Sequence, residues 1–106
     1  MPPKTANKSS NLEITQFNQI NIKKILATSL NILVIKRILA IVHQEGRINR
    51  TNLAGKTGLN YVVCSKYVST LVLFGLLRIL SDYNQYIVIT ERGIEIKKSL
   101  EILNEK

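Results

Sequence analysis

The stretch of residues 46–76, GRINRTNLAGKTGLNYVVCSKYVSTLVLFGL, constrains the fold of this chain more than any other part of its sequence. Asn49 and Asn60 each stand where a side-chain oxygen can cap the first turn of a helix. Gly58 stands between them, at the left-handed position that commonly ends a helix. The stretch therefore predicts a short extended piece, 47–49, and then two helices joined by a tight turn. We place these helices at about 50–57 and 61–74.

The second of these helices has one apolar face. Cys64, Val68 and Leu71 follow the four-and-three spacing that brings side chains to the same side of a helix. Leu53 and Ala54 of the preceding helix are predicted to face the same core. Because these residues point inward, the opposite side of the second helix is left exposed. Cys64 lies in the buried stripe, so we expect an inert core thiol rather than a redox sensor.

A longer helix precedes this pair. Residues 30–44 are apolar nearly all round, Gly46 ends the pattern, and Thr28 or Ser29 can cap its start. A helix that is apolar on two sides needs two partners. One partner is the rest of its own domain. The other is a second copy of the chain or the segment 11–27, for which we favour a helix.

The C-terminal part of the chain predicts a hairpin and a last helix. Two runs rich in β-branched residues, 76–80 and 86–90, flank the turn-like sequence SDYNQ. Thr90 can then cap a helix that reaches about residue 104. The buried face of that helix is predicted to hold three residues, Ile96, Leu100 and Leu103.

Charge is distributed unevenly along the chain, whose formal net charge is +8. Residues 1–78 carry eleven Lys or Arg and two acids, a net +9, whereas residues 79–106 carry four Lys or Arg and five acids, a net −1. The basic part is the part that holds the helix pair. Basic surfaces attract polyanions such as nucleic acids.

The sequence also indicates the cellular compartment of the protein. The start, MPPKTANKSS, has no apolar core of a secretory signal, and the longest apolar runs fall short of the roughly 18–20 residues of a membrane span. A single cysteine excludes an internal disulfide. We therefore expect a soluble cytoplasmic protein.

The chain should consist of a disordered basic tail, 1–10, and one domain over 11–106. That domain is made of an N-terminal extension, 11–27, a core, 30–90, and a C-terminal helix, 91–104.

The element order and two sequence phrases carry a family resemblance. The phrases are GLNYVVCSKYVSTLVLFGLL, from Gly58, and YIVITERG, from Tyr86. Over roughly residues 30–103 the chain resembles small archaeal winged helix-turn-helix transcription regulators. The resemblance implies a mainly α fold with a small β-hairpin, the wing. From the apolar surface of the helix at 30–44 we also expect a homodimer formed through the terminal helices. The resemblance also implies sequence-specific binding to double-stranded DNA, with the helix at about 60–74 in the major groove.

The resemblance assigns residues to the DNA. The exposed side of the recognition helix would read bases through six residues, Asn60, Tyr61, Val62, Ser65, Lys66 and Ser69. The preceding segment would supply three phosphate contacts, Arg47, Arg50 and Lys56. The hairpin tip departs from the family pattern because it holds an acid and no Arg or Lys. Its three candidates for weak backbone contacts are Tyr83, Asn84 and Gln85.

Two other functions fit the same fold. A winged helix can be a protein-interaction adaptor whose basic face is incidental, or a non-specific architectural DNA-binding protein. The sequence contains no paired carboxylates, nucleophile–base set or metal-ligand spacing, so we expect no enzyme activity, no cofactor and no metal. As a DNA-binding protein, it would be associated with the nucleoid.

Overall fold

The structure is a computed structural model that describes residues 23, 25, 27–81 and 84–103. Its elements follow one another as four helices and a hairpin. In chain order they are α1 (Ile32–Glu45), α2 (Arg50–Thr57), α3 (Tyr61–Leu73), β1 (Leu77–Ile79), β2 (Ile87–Ile89) and α4 (Glu91–Leu103). This is the predicted mainly α fold with a small β-hairpin.

Helix α1 begins two residues later than the sequence suggested, because its cap is Asn31. The Asn31 Oδ1 atom accepts hydrogen bonds from the backbone N–H groups of Leu33, at 2.8 Å, and Val34, at 3.4 Å. The prediction that Thr28 or Ser29 caps this helix was wrong. The Thr28 hydroxyl instead donates to the Ile25 carbonyl at 2.6 Å and accepts from the Leu30 N–H at 3.2 Å. It therefore closes the turn that leads into α1.

The core forms along one side of α1. Four of its residues are buried, namely Ile35, Ile38, Leu39 and Val42, whereas Ile32 is only half-buried. Ile25, which precedes the helix, is fully buried in the same cluster. The segment ahead of α1 therefore supplies one of the contacts that its wide apolar surface was predicted to need.

Helices α2 and α3 form the predicted helix-turn-helix. The Asn49 and Asn60 side chains cap them, each accepting a backbone N–H at 2.8 Å. Gly58 ends α2 with φ +78, a left-handed conformation that glycine adopts without strain, and its N–H donates to the Ala54 carbonyl. Leu53 and Ala54 are buried, as predicted. The short turn fixes α3 across α2.

Strands β1 and β2 pair antiparallel, with Arg78 opposite Val88 at the centre of the register. Ile48 joins them from the chain between α1 and α2, exchanging two backbone hydrogen bonds with Ile87 at 3.1 and 2.8 Å. The wing is thereby fastened beside the helix-turn-helix.

Helix α4 begins at a tight contact with the loop after α3. The Thr90 hydroxyl accepts the Gly93 N–H at 2.9 Å, as a helix cap does, and lies 2.7 Å from the Gly75 carbonyl, to which it donates. A Cβ atom on Gly93 would lie 2.1 Å from the Leu76 carbonyl oxygen. The TERG sequence therefore reflects a cap and a close backbone approach. Ile96 and Leu100 are buried as predicted.

Other predictions concern parts of the chain outside the described residues. These include the tail at 1–10 and most of the helix favoured for 11–27, although Lys23 and Ile25 are helical. The side chain of Leu103 is also outside. None of the described helices combines the length and apolar character that crossing a bilayer requires.

Candidate nucleic-acid interface

Helix α3 turns one side into the core and the opposite side outward. Its inward side consists of Cys64, Tyr67, Val68 and Leu71, all buried. Its outermost line is spaced by four, three and four residues, so its members lie on one face. They are Val62, Lys66, Ser69 and Leu73, all exposed. The described part of the chain leaves this line uncovered.

The six predicted base-reading residues fall around this line. Asn60, Tyr61, Val62, Lys66 and Ser69 are exposed, and Ser65 is half-buried. Val62 is 76% exposed and Tyr61, at the flank, is 53% exposed. The Asn60 carboxamide oxygen accepts the Val63 N–H at 2.8 Å, so that oxygen is already engaged in capping the helix. The structure thus brings these residues together at one surface.

Two residues of α3 have positions that the sequence interpretation missed. Tyr67, which was not part of the predicted buried stripe, is only 8% exposed, and its hydroxyl accepts the Asn31 N–H at 3.0 Å. That bond ties α3 to the first turn of α1. Leu73 is 82% exposed. Its spacing of four from Ser69 was the available signal that it continues the exposed line.

The three predicted phosphate-contacting cations lie before and within α2. The Arg47 guanidinium carbon stands 4.7 Å from the centroid of the Tyr86 ring, within cation–π range. Arg50 is half-buried in the first turn of α2, close enough to Cys64 to influence its thiol. The Lys56 Nζ atom lies 3.6 Å from Glu45 Oε2, and both side chains are well exposed. A pair of this kind contributes little and is readily exchanged for another anion.

The hairpin tip is described only in part. Asn84 and Gln85 are exposed, and Gln85 has φ +52, which helps the chain reverse direction. Tyr83, the third predicted wing residue, lies outside the described residues.

Cys64 is suited to packing rather than to reactivity. Its side chain is fully buried beneath α3. Burial raises the pKa of the thiol, and the nearby Arg50 charge offsets only part of that effect. The thiol therefore stays protonated at neutral pH. Because the thiolate and not the thiol is the nucleophile, Cys64 is unreactive. Within the ranges that the structure describes, no group of three or more His, Cys, Asp or Glu could hold a metal ion.

Comparison with known proteins agrees with this geometry. The family model for winged helix-turn-helix proteins matches residues 29–106. Sso10a-2, a DNA-binding protein from Sulfolobus solfataricus, is 31% identical over 66% of this chain and 73% of its own, with a TM-score of 0.58. No curated protein gives a significant match.

Two further solved structures share the fold at lower identity. Wild-type MarR from E. coli, in its apo form, aligns with a TM-score of 0.65 and 14% identity over 100% of this chain and 78% of its own. RV1404 from Mycobacterium tuberculosis aligns with a TM-score of 0.64 and 20% identity over 93% and 69% of the two chains. These likenesses concern the backbone arrangement alone.

Proposed function

Because this chain belongs to the winged helix-turn-helix family, we propose that it is a transcriptional regulator that binds double-stranded DNA in a sequence-specific way. The observation that carries this proposal is the uncovered outer line of α3. A recognition helix enters the major groove with one side, and residues near its N-terminus contact the base edges. In this chain that side begins at Val62 and continues through Lys66 and Ser69.

The exposed residues have chemistry suited to these contacts. The Lys66 ammonium group can meet a phosphate or a guanine, and the hydroxyls of Tyr61, Ser65 and Ser69 can bond to bases or phosphates. Arg47, Arg50 and Lys56 supply phosphate contacts beside the recognition helix. The hairpin tip adds weak backbone contacts through three residues, Tyr83, Asn84 and Gln85. The protein acts by binding and not by catalysis.

The active form is a homodimer joined through the segment 11–27, α1 and α4. Two exposed side chains on these helices support this part of the proposal. Leu33 on α1 is 56% exposed and Ile102 on α4 is 68% exposed. Two copies would place their recognition helices about one DNA turn apart, roughly 34 Å, on a pseudo-palindrome in the nucleoid.

Selection of bound sequences from a random pool of duplexes tests specificity and symmetry together. We expect an enriched palindrome with half-sites about one turn apart. Enrichment of no sequence, with tight binding retained, would assign the protein to the architectural class. Failure to bind any duplex at micromolar concentration and low salt would leave the adaptor as the explanation.

A salt titration tests the contacts of individual residues. A dimer with about 6–10 phosphate contacts should lose roughly 10³–10⁵-fold in affinity between 50 and 200 mM salt. If Lys66 meets phosphate, Lys66→Ala lowers affinity for all sequences and reduces the salt slope by about one per protomer. Lys98→Ala, at another exposed helical lysine, is the matched control. Equal effects of the two changes would remove Lys66 from the interface.

A further inference from the structure

Helix α3 lacks the side chains that most often read purines. Between Tyr61 and Leu73 it contains no Arg, Asn, Gln, Asp or Glu, and Lys66 is its one charged residue. Arg forms bidentate hydrogen bonds with guanine, and Asn or Gln forms them with adenine. The carboxylate of Asp or Glu accepts a hydrogen bond from the amino group of cytosine. The cap residue Asn60 has the required amide, but its oxygen is held by the Val63 N–H at 2.8 Å. Beyond Lys66 and the hydroxyls of Ser65 and Ser69, base discrimination by this helix needs a further source.

The first turn of α3 offers an apolar side chain that can discriminate between bases. Val62 is 76% exposed, on the same face as Lys66 and in the half of the helix that approaches base edges. Tyr61 and Val63, on either side, are 53% and 37% exposed. The apolar group that a base presents in the major groove is the C5-methyl of thymine. The isopropyl group of Val62 is also apolar and is large enough to cover that methyl group.

We propose that Val62 is a specificity-determining residue that reads thymine by covering its C5-methyl group in the major groove. Lys66, one turn further along, holds the helix in register through a phosphate or guanine. The preferred ligand is then a duplex with thymine at the position beneath Val62 in each half-site. This inference rests on the proposed DNA-binding function and adds to it the base that α3 prefers.

Removing the methyl group from the DNA tests this directly. A duplex of roughly 25 base pairs with a fixed A·T-rich sequence is made with thymine or with deoxyuridine, and binding is measured by fluorescence anisotropy at low salt. Burial of one methyl favours the thymine duplex by about fourfold, and two protomers raise this to about fifteenfold. A G·C duplex made with 5-methylcytosine should be bound more tightly than its unmethylated form.

The protein variants identify the residue responsible. Val62→Ser should bind the thymine and deoxyuridine duplexes within about twofold of each other. Leu73→Ser is the matched control, because Leu73 is 82% exposed on the same line but lies at the far end of α3. It should keep the discrimination. Both substitutions are at exposed positions, and circular dichroism verifies that both variants fold.

The outcomes separate this inference from the proposal beneath it. Tight binding without discrimination between thymine and deoxyuridine overturns the role of Val62 and leaves the DNA-binding function standing. Discrimination that persists in Val62→Ser also overturns it, since the difference then comes from DNA shape or from another side chain. No binding to any duplex overturns the proposed function, and the inference with it.

Discussion

The glycine at position 93 is required by a contact rather than by its backbone conformation. A Cβ atom there would lie 2.1 Å from the Leu76 carbonyl oxygen and 2.7 Å from Ile89 Cγ1. The Leu76 oxygen also accepts the Thr90 N–H at 3.1 Å, so it cannot move without loosening the start of α4. We expect Gly93→Ala to lower the free energy of unfolding by about 1–3 kcal/mol, measured by chemical denaturation.

Gly55 provides the control for this change. It lies within α2, and a Cβ atom there would meet nothing within 4 Å. Gly55→Ala should therefore raise the free energy of unfolding, by up to about 1 kcal/mol, because alanine is the better helix former. If Gly93→Ala also raises the free energy of unfolding, the contact at Gly93 is not the reason for its glycine.

The two tyrosines of α3 should respond in opposite ways to loss of their hydroxyls. Tyr67→Phe removes the acceptor of the Asn31 N–H and should cost about 0.5–1.5 kcal/mol of stability. Tyr61→Phe, at an exposed side chain, should leave stability within about 0.5 kcal/mol and weaken DNA binding. Denaturation and anisotropy measurements on both variants check the pair. A stability loss in Tyr61→Phe equal to that in Tyr67→Phe would contradict the assignment.

Among the elements, α2 and α3 were predictable because their stop and start signals are local. Asn49, Gly58 and Asn60 act on the residues next to them, so their positions in the sequence define both helices. The start of α1 was not predictable in the same way. Thr28 and Asn31 can both cap a helix, and Thr28 is drawn away by its bond to the Ile25 carbonyl. The choice depends on how the preceding segment packs.

In the candidate site, too, the features set by neighbouring residues were predictable, and those set by distant contacts were not. The inward stripe of α3 followed from helical spacing, and with it the exposed side that holds Val62, Lys66 and Ser69. The burial of Tyr67 did not, because its partner, Asn31, lies 36 residues away in sequence. The stacking of Arg47 on Tyr86 likewise joins two distant segments. Periodicity reports which side of a helix is buried, but not which distant group lies against it.

The wing should affect DNA binding through Arg47. Its guanidinium lies 4.7 Å from the Tyr86 ring centroid, and a contact of this kind at an exposed site contributes about 0.5–1 kcal/mol. Tyr86→Leu should therefore weaken DNA binding by about two- to fivefold, because it leaves Arg47 less ordered. Tyr86→Phe, which keeps the ring, should bind as the unchanged protein does.

A double-mutant cycle separates this positioning role from a direct contact of Tyr86 with DNA. If Tyr86 acts through Arg47, the combination of Arg47→Ala and Tyr86→Leu should bind no more weakly than Arg47→Ala alone. Additive losses in anisotropy titrations would place Tyr86 itself on the DNA.

At the scale of the whole molecule, charge is distributed unevenly along the chain, and exposed apolar side chains occur on α1, α3 and α4. The basic excess lies in residues 1–78, which include α3, while residues 79–106 are nearly neutral. Of the exposed apolar side chains, Leu33 on α1 and Ile102 on α4 lie outside α3. A molecule arranged in this way can bind a polyanion with one part and a second copy of itself with another. The two activities should then be separable by mutation.

Ile102→Glu should break the homodimer, because it places a charge where an apolar side chain, 68% exposed in the single chain, would be buried between copies. Sedimentation velocity should show a dimer for the unchanged protein and a monomer for the variant.

The affinity of Ile102→Glu for a palindromic duplex should fall by at least about 100-fold, since the second half-site is no longer bound at a high effective concentration. Affinity for a single half-site should change little. Ser69→Glu is the counterpart, placing the same charge on the exposed line of α3: it should stay dimeric and lose DNA binding at both duplexes. If Ile102→Glu remains a dimer, or if the unchanged protein sediments as a monomer at micromolar concentration, the terminal helices do not join two copies, and pairing on a palindrome requires another surface.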